Sequence, residues 1–180
     1  MFRVKKNLLV LRKPSLFRTM VIMAFFLMLV QVNRVGGGVL ASELSDGYNL
    51  SPTMIGLVIG SMFFAAAVVQ VPVGLMLDSF GARRTLVGLS VIAVSGMILI
   101  GFASGAAELI IGRILVGIGH GASITGVYLL AVVWTSPERV STVAAITIAV
   151  GGALGGILGT APLAISCLLY TSPSPRDLVI

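Results

Sequence analysis

Pro72 to Leu86, PVGLMLDSFGARRTL, is a short charged island between two long apolar runs. Its polar content is concentrated in Asp78, Ser79, Arg83 and Arg84, with Gly74 and Gly81 beside them. Asp78 closes one apolar helix, Gly81 permits a tight reversal, and the arginine pair opens the next helix. That order describes a cytoplasmic hairpin between membrane helices, where positive charge is retained.

Composition sets the same bound. Of 180 residues, 57 % are hydrophobic and 10 % charged, against about 25 % charged in ordinary globular chains. Mean hydropathy is +1.11. The chain is therefore expected to be an all-α integral membrane protein in the lipid bilayer. Twelve Lys/Arg against six Asp/Glu give a net charge of +6, but the cations sit in short loops and at the amino terminus. They form no stripe on a soluble fold, so nucleic acid is not an expected partner.

Residues 1–18 form a basic leader with Arg3, Lys5, Lys6, Arg12, Lys13 and Arg18 and no acid. The apolar run from Met20 to Val32 is short enough for a signal peptide, but the helix can continue past Asn33 and Arg34 to about Ser42. Glu43 to Pro52 is polar and turn-like, and Ser51-Pro52 is a good helix start. The expected membrane helices are about 19–42, 53–77, 84–103, 106–134 and 139–164, within a bundle over 19–166. Lys/Arg fall in the leader, at Arg83-Arg84 and at Arg139, whereas the opposite loops hold Glu43, Asp46 and Glu108. The bias puts the amino terminus in the cytoplasm of a multi-pass plasma membrane protein, in a bacterium the inner membrane.

Gly74, Asp78, Gly81, Arg83 and Arg84 resemble the loop signature of the major facilitator superfamily, roughly G-x-x-x-D-x-x-G-R-[RK], between its second and third membrane helices. Ala82 stands where the family often has the first basic residue. The resemblance implies a gate role for this loop, which holds one half of the transporter against the other on the cytoplasmic side. It also implies a major-facilitator-type helix bundle, of which this chain supplies the first five helices of an amino-terminal six-helix half. The substrate site then lies between two halves, and the missing carboxy-terminal half is itself a partner. GRILVGIGHG resembles the family's fourth-helix pattern, and the run VNRVGGGVLASEL with GTAPLA looks like bacterial carriers of unassigned substrate.

Glycine is spaced for packing. Gly56 and Gly60 on the second helix, and Gly151, Gly155 and Gly159 on the fifth, repeat every four residues and let backbones approach closely. Such surfaces serve static packing or a sliding contact. The fifth helix lacks the central Gly-Pro of drug antiporters, and Pro162 comes only at its end.

Charged residues at membrane depth are functional candidates. Arg34 and Arg113 lie roughly 12 and 8 Å below the outer surface at the helical rise, and no Asp or Glu lies at that depth to neutralise them. The imbalance favours an anionic substrate gripped by one or both guanidinium groups. The competing readings are snorkelling to the interface and pairing with carboxylates elsewhere in the protein. His120, seven residues after Arg113, shares its face, with Tyr128 nearby, and Gln31 shares the face of Arg34. His120 suits a packing hydrogen bond, a proton relay or a substrate contact. Gln70 suits a hydrogen bond between helices.

Cys167 to Asp177, CLLYTSPSPRD, reads as a direct translation of a transposase adapter used in sequencing libraries. Residues 167–180 are therefore expected to be a non-native tail, and Cys167, the sole cysteine, carries no chemistry. No phosphate loop, zinc spacing, nucleophile elbow or dinucleotide fingerprint occurs, so neither a catalytic residue nor a cofactor or metal is expected. The expected function is a truncated secondary active transporter of a small solute, with a possible coupling ion. The alternative is a polytopic membrane enzyme or sensor that uses the helices as scaffold.

Overall fold

The computed structural model describes residues 16–39 and 47–170. Most of the basic leader, Glu43, Asp46 and the end of the tail lie outside the described residues. Among the described residues the fold is carried by α1 Leu16–Val39, α2 Pro52–Val68, α3 Gln70–Phe80, α4 Ala82–Gly101, α5 Ala106–His120, α6 Ser123–Trp134 and α7 Val140–Tyr170, the last preceded by a 3-10 turn at Pro137–Arg139. Among the described residues, four stretches are long and apolar enough to cross a membrane, and α2 with α3 makes a fifth if that bent pair is one span.

Local chemistry sets the helix ends. The Ser51 hydroxyl accepts from Met54 N at 3.3 Å, and Pro52 takes the first turn, where its missing N–H costs nothing. The Ser104 backbone N–H donates to the Glu108 carboxylate at the start of α5. Thr135 donates to the Ala131 carbonyl at 2.6 Å and closes α6.

Two expected helices are interrupted. The second span bends by 46° between Val68 and Gln70, because Pro72 cannot donate to the Val68 carbonyl and its ring crowds that carbonyl. The fourth pauses at Gly121-Ala122 without leaving helical backbone angles. At the far end α7 runs past Ala164 to Tyr170, into the adapter-like stretch. Cys167 to Tyr170 lacks any helix breaker, and Pro173 is the next one.

Burial identifies the central element. Half of the fourth span's apolar window is buried, against 17–22 % in the first, third and fifth. α5 packs along α4 on one side and α2 on the other, while α1 packs along α7. Met23, Leu27, Val127, Ala131 and Ala144 form one core cluster, and Val73, Leu77, Leu89 and Ala122 another. Outward-facing apolar side chains are abundant, Phe17, Phe64, Val71 and Phe102 among them. That surface suits hydrocarbon rather than water.

Candidate functional site

The central position of α5 follows from its glycines. A Cβ built on Gly112 would meet Ile100 Cγ1 at 2.6 Å, one on Gly119 would meet Leu89 O at 2.6 Å, and one on Gly126 would meet Leu86 Cδ2 at 3.1 Å. These three, seven residues apart, face α4 across the fourth span. Gly117 and Gly121, four apart, fit against Met62 and Val69 on the second span. With both flanks pressed against neighbours, the remaining face of α5 points at α1 and carries Arg113.

Arg113 is tied into the protein. Its Nη1 donates to the Asn33 carbonyl at 3.3 Å and approaches Met62 Sδ at 3.8 Å. Its guanidinium occupies the notch that Gly37 leaves, and any Cβ at position 37 would collide with it. Arg34, one residue after Asn33, is held differently. Its Cζ lies 5.3 Å from the centroid of the Phe63 ring, and among the described residues it donates no hydrogen bond. Neither arginine forms an ion pair among the described residues. The described acids, Asp78, Glu108 and Glu138, sit at helix ends.

His120 ends α5, two turns beyond Arg113 on the same helix face. Its Nδ1 is buried and has no hydrogen-bond partner among the described residues, and Ser123 Oγ donates to its carbonyl at 2.7 Å. Arg34 and Arg113 are thus brought together against the consecutive residues Met62 and Phe63 of α2. Two other candidates stand apart: the Cβ of Gln31 lies against Gly155 in the α1–α7 seam, and Tyr128 is 45 % exposed on α6. Gln70 is exposed on α3. Phe63, Met62, Asn33 and Gly37 complete the cluster and were not singled out from sequence. The signal available was the run Gly36–Gly38, clear of side chains on the helix that faces Arg113.

At the hairpin, Gly81 has φ 81° and ψ 160°, a region open to glycine and strained for other residues. Asp78, Arg83 and Arg84 are exposed and form no ion pair among the described residues. The buried tie is Thr85, 2 % exposed, which donates to the Met76 carbonyl at 3.1 Å. Gly74 faces open space. No group of three or more His, Cys, Asp or Glu among the described residues could hold a metal.

On the fifth span, Cβ atoms on Gly151 and Gly155 would lie 2.6 and 2.5 Å from the carbonyls of Ala24 and Met28, and one on Gly159 would lie 3.2 Å from Val32 Cα. Gly56 and Gly60 on α2 have nothing within 4 Å of such an atom.

These features define an all-helical, multi-pass membrane bundle with a cationic cluster where its first, second and fourth spans meet. The profile of the Major Facilitator Superfamily matches residues 15–173, and the chain belongs to that family. It is 29 % identical over 102 residues to the "Probable sulfoacetate transporter SauU" of Cupriavidus necator, covering 57 % of this chain and 24 % of the relative. Identity to "Sodium-dependent phosphate transport protein 1" of Mus musculus is 34 % over 122 residues, covering 61 % and 26 %. "Arabinose-proton symporter" of Bacillus subtilis is 35 % identical over 88 residues, covering 48 % and 19 %. The matched stretch thus spans about a quarter of the first two relatives and a fifth of the third. No solved structure matches the chain.

Proposed function

We propose that the full-length protein containing this chain is a secondary active transporter that moves a small organic anion by alternating access. The observation that carries this reading is the unequal treatment of the two arginines. Arg113 is anchored, with Nη1 directed at the Asn33 carbonyl and its guanidinium packed into the Gly37 notch, whereas Arg34 donates no hydrogen bond among the described residues and lies beside an aromatic ring. With no acid at that depth among the described residues, an anion is the natural complement. Two of the relatives are named for sulfoacetate and phosphate, both anions, which supports the same choice.

In this reading Arg34 contacts the anion, Arg113 braces the first span against the fourth, and His120 faces the same space as a group able to exchange a proton. The Asp78 to Arg84 hairpin acts at the cytoplasmic gate, with the amino terminus inside a bacterial inner membrane. The relative named for arabinose and protons makes a coupling ion reasonable. Its name also supplies the competing substrate class, a neutral sugar.

Uptake of labelled sulfoacetate, phosphate and arabinose by the full-length protein in proteoliposomes tests the proposal. Arg34→Ala should raise the KM for the transported anion by about 30-fold, the worth of a hydrogen bond to a charged group. Asp78→Asn should lower the maximal rate and leave KM unchanged, because it acts on the gate. Saturable arabinose uptake that is indifferent to both anions and to Arg34→Ala would replace the anion reading with the sugar one.

A further inference from the structure

Two consecutive residues of α2 divide the arginines between them. Met62, 2 % exposed, offers its sulfur to Arg113 at 3.8 Å, and Phe63, 42 % exposed, offers its ring to Arg34 at 5.3 Å. We infer that Phe63 is a positioning residue of the anion site, whose ring holds the Arg34 guanidinium in place without consuming its charge or its hydrogen-bond donors. The inference rests on the reading of Arg34 as the anion contact.

The usual restraint on a buried arginine is a carboxylate, which fixes the side chain by neutralising it and by taking its donors. An anion would then have to displace that partner. An aromatic face restrains through the attraction between cation and ring quadrupole and accepts no N–H bond of the conventional kind. The five guanidinium donors stay open to a ligand, and a long flexible side chain is already placed before the ligand arrives. Arg113 shows the contrast within the same cluster, since its Nη1 is already directed at the Asn33 carbonyl. Phe64, the next residue, is 73 % exposed and makes no cation–ring contact among the described residues, so the ring at position 63 is the one that serves Arg34.

The test is uptake of labelled sulfoacetate and inorganic phosphate by the full-length protein in proteoliposomes, with Phe63→Leu, Phe63→Tyr and Arg34→Ala compared. Phe63→Leu should raise KM about fivefold, with the maximal rate within about twofold of wild type, because a cation–ring contact at a partly exposed ring is worth a severalfold change in affinity. Phe63→Tyr, which keeps the ring, should restore KM to within about twofold. A merely structural role would lower the rate and the amount of folded carrier and would not divide Leu from Tyr. If Arg34→Ala weakens uptake and Phe63→Leu leaves KM unchanged, the positioning role is wrong and the anion site stands. If the wild type carries neither anion, or if Arg34→Ala changes nothing, the anion site falls and the inference with it.

Discussion

Gly155 and Gly56 belong to the same small-residue pattern, yet they meet opposite surroundings. A Cβ on Gly155 would sit 2.5 Å from the Met28 carbonyl, whereas one on Gly56 would meet nothing within 4 Å. The four-residue spacing therefore marks a surface that can be approached closely, and the neighbouring helix decides whether it is. In the α1–α7 seam the neighbour is present, and the backbones interlock. On the face of α2 that carries Gly56 and Gly60, no such helix lies among the described residues.

The largest effect expected along this contrast is at the fourth span. Gly119→Leu would drive a branched side chain into Ala93 N and the Leu89 carbonyl, both 2.6 Å from the Cβ position. Backbone atoms cannot swing aside, and overpacking of this kind costs about 3 kcal/mol or more. Thermal unfolding in detergent should show little folded protein. A normal melting curve would mean that α4 and α5 are not in this register. Gly155→Ala adds only a methyl, yet it also faces backbone, and the expected loss is about 2 kcal/mol. Gly159→Ala, with 3.2 Å of clearance to Val32 Cα, should cost less in the same assay, so the ordering of the pair checks how the seam opens.

A smaller effect belongs to Gly37, where the obstacle is a flexible side chain rather than backbone. Gly37→Ala should push the Arg113 guanidinium out of its notch and break its bond to the Asn33 carbonyl, at a cost of about 1 kcal/mol. The fold should persist. In the full-length protein, a freed Arg113 becomes a second cation at the site, so anion KM should change. Unchanged anion uptake would place Arg113 outside the substrate path altogether.

The contrast also shows what was legible in the sequence. The helices, their polar punctuation and the Gly151/Gly155/Gly159 seam follow from local pattern, since apolar length, caps and four-residue spacing are properties of a single helix. The bend at Val69 was present in the chain as Pro72, whose reach back to Val68 is likewise local. What could not be read was which helix faces which. Gly112, Gly119 and Gly126 share one side of the fourth span, but only a partner gives that side meaning, and the same holds for Gly56. The two arginines were found by their depth, but the sequence carries no sign that Met62 and Phe63 separate them. Thr85 at the hairpin was missed for the opposite reason. The charges around it draw attention, although Asp78, Arg83 and Arg84 are exposed and the buried Thr85 hydroxyl makes the tie to α3.

The smallest substitution is the most informative about the open face. In the 180-residue chain, Gly56→Ala meets nothing and replaces the poorer helix former, so it should raise stability by up to about 1 kcal/mol. The same change in the full-length protein asks what else covers α2. A stability gain there too would mean that the Gly56/Gly60 face is turned to lipid. A loss of about 2 kcal/mol would mean that another helix of the protein presses against it as closely as α1 presses against Gly155. Melting both proteins side by side with and without the methyl separates the two, because only a covered glycine turns a gain in helix propensity into a clash.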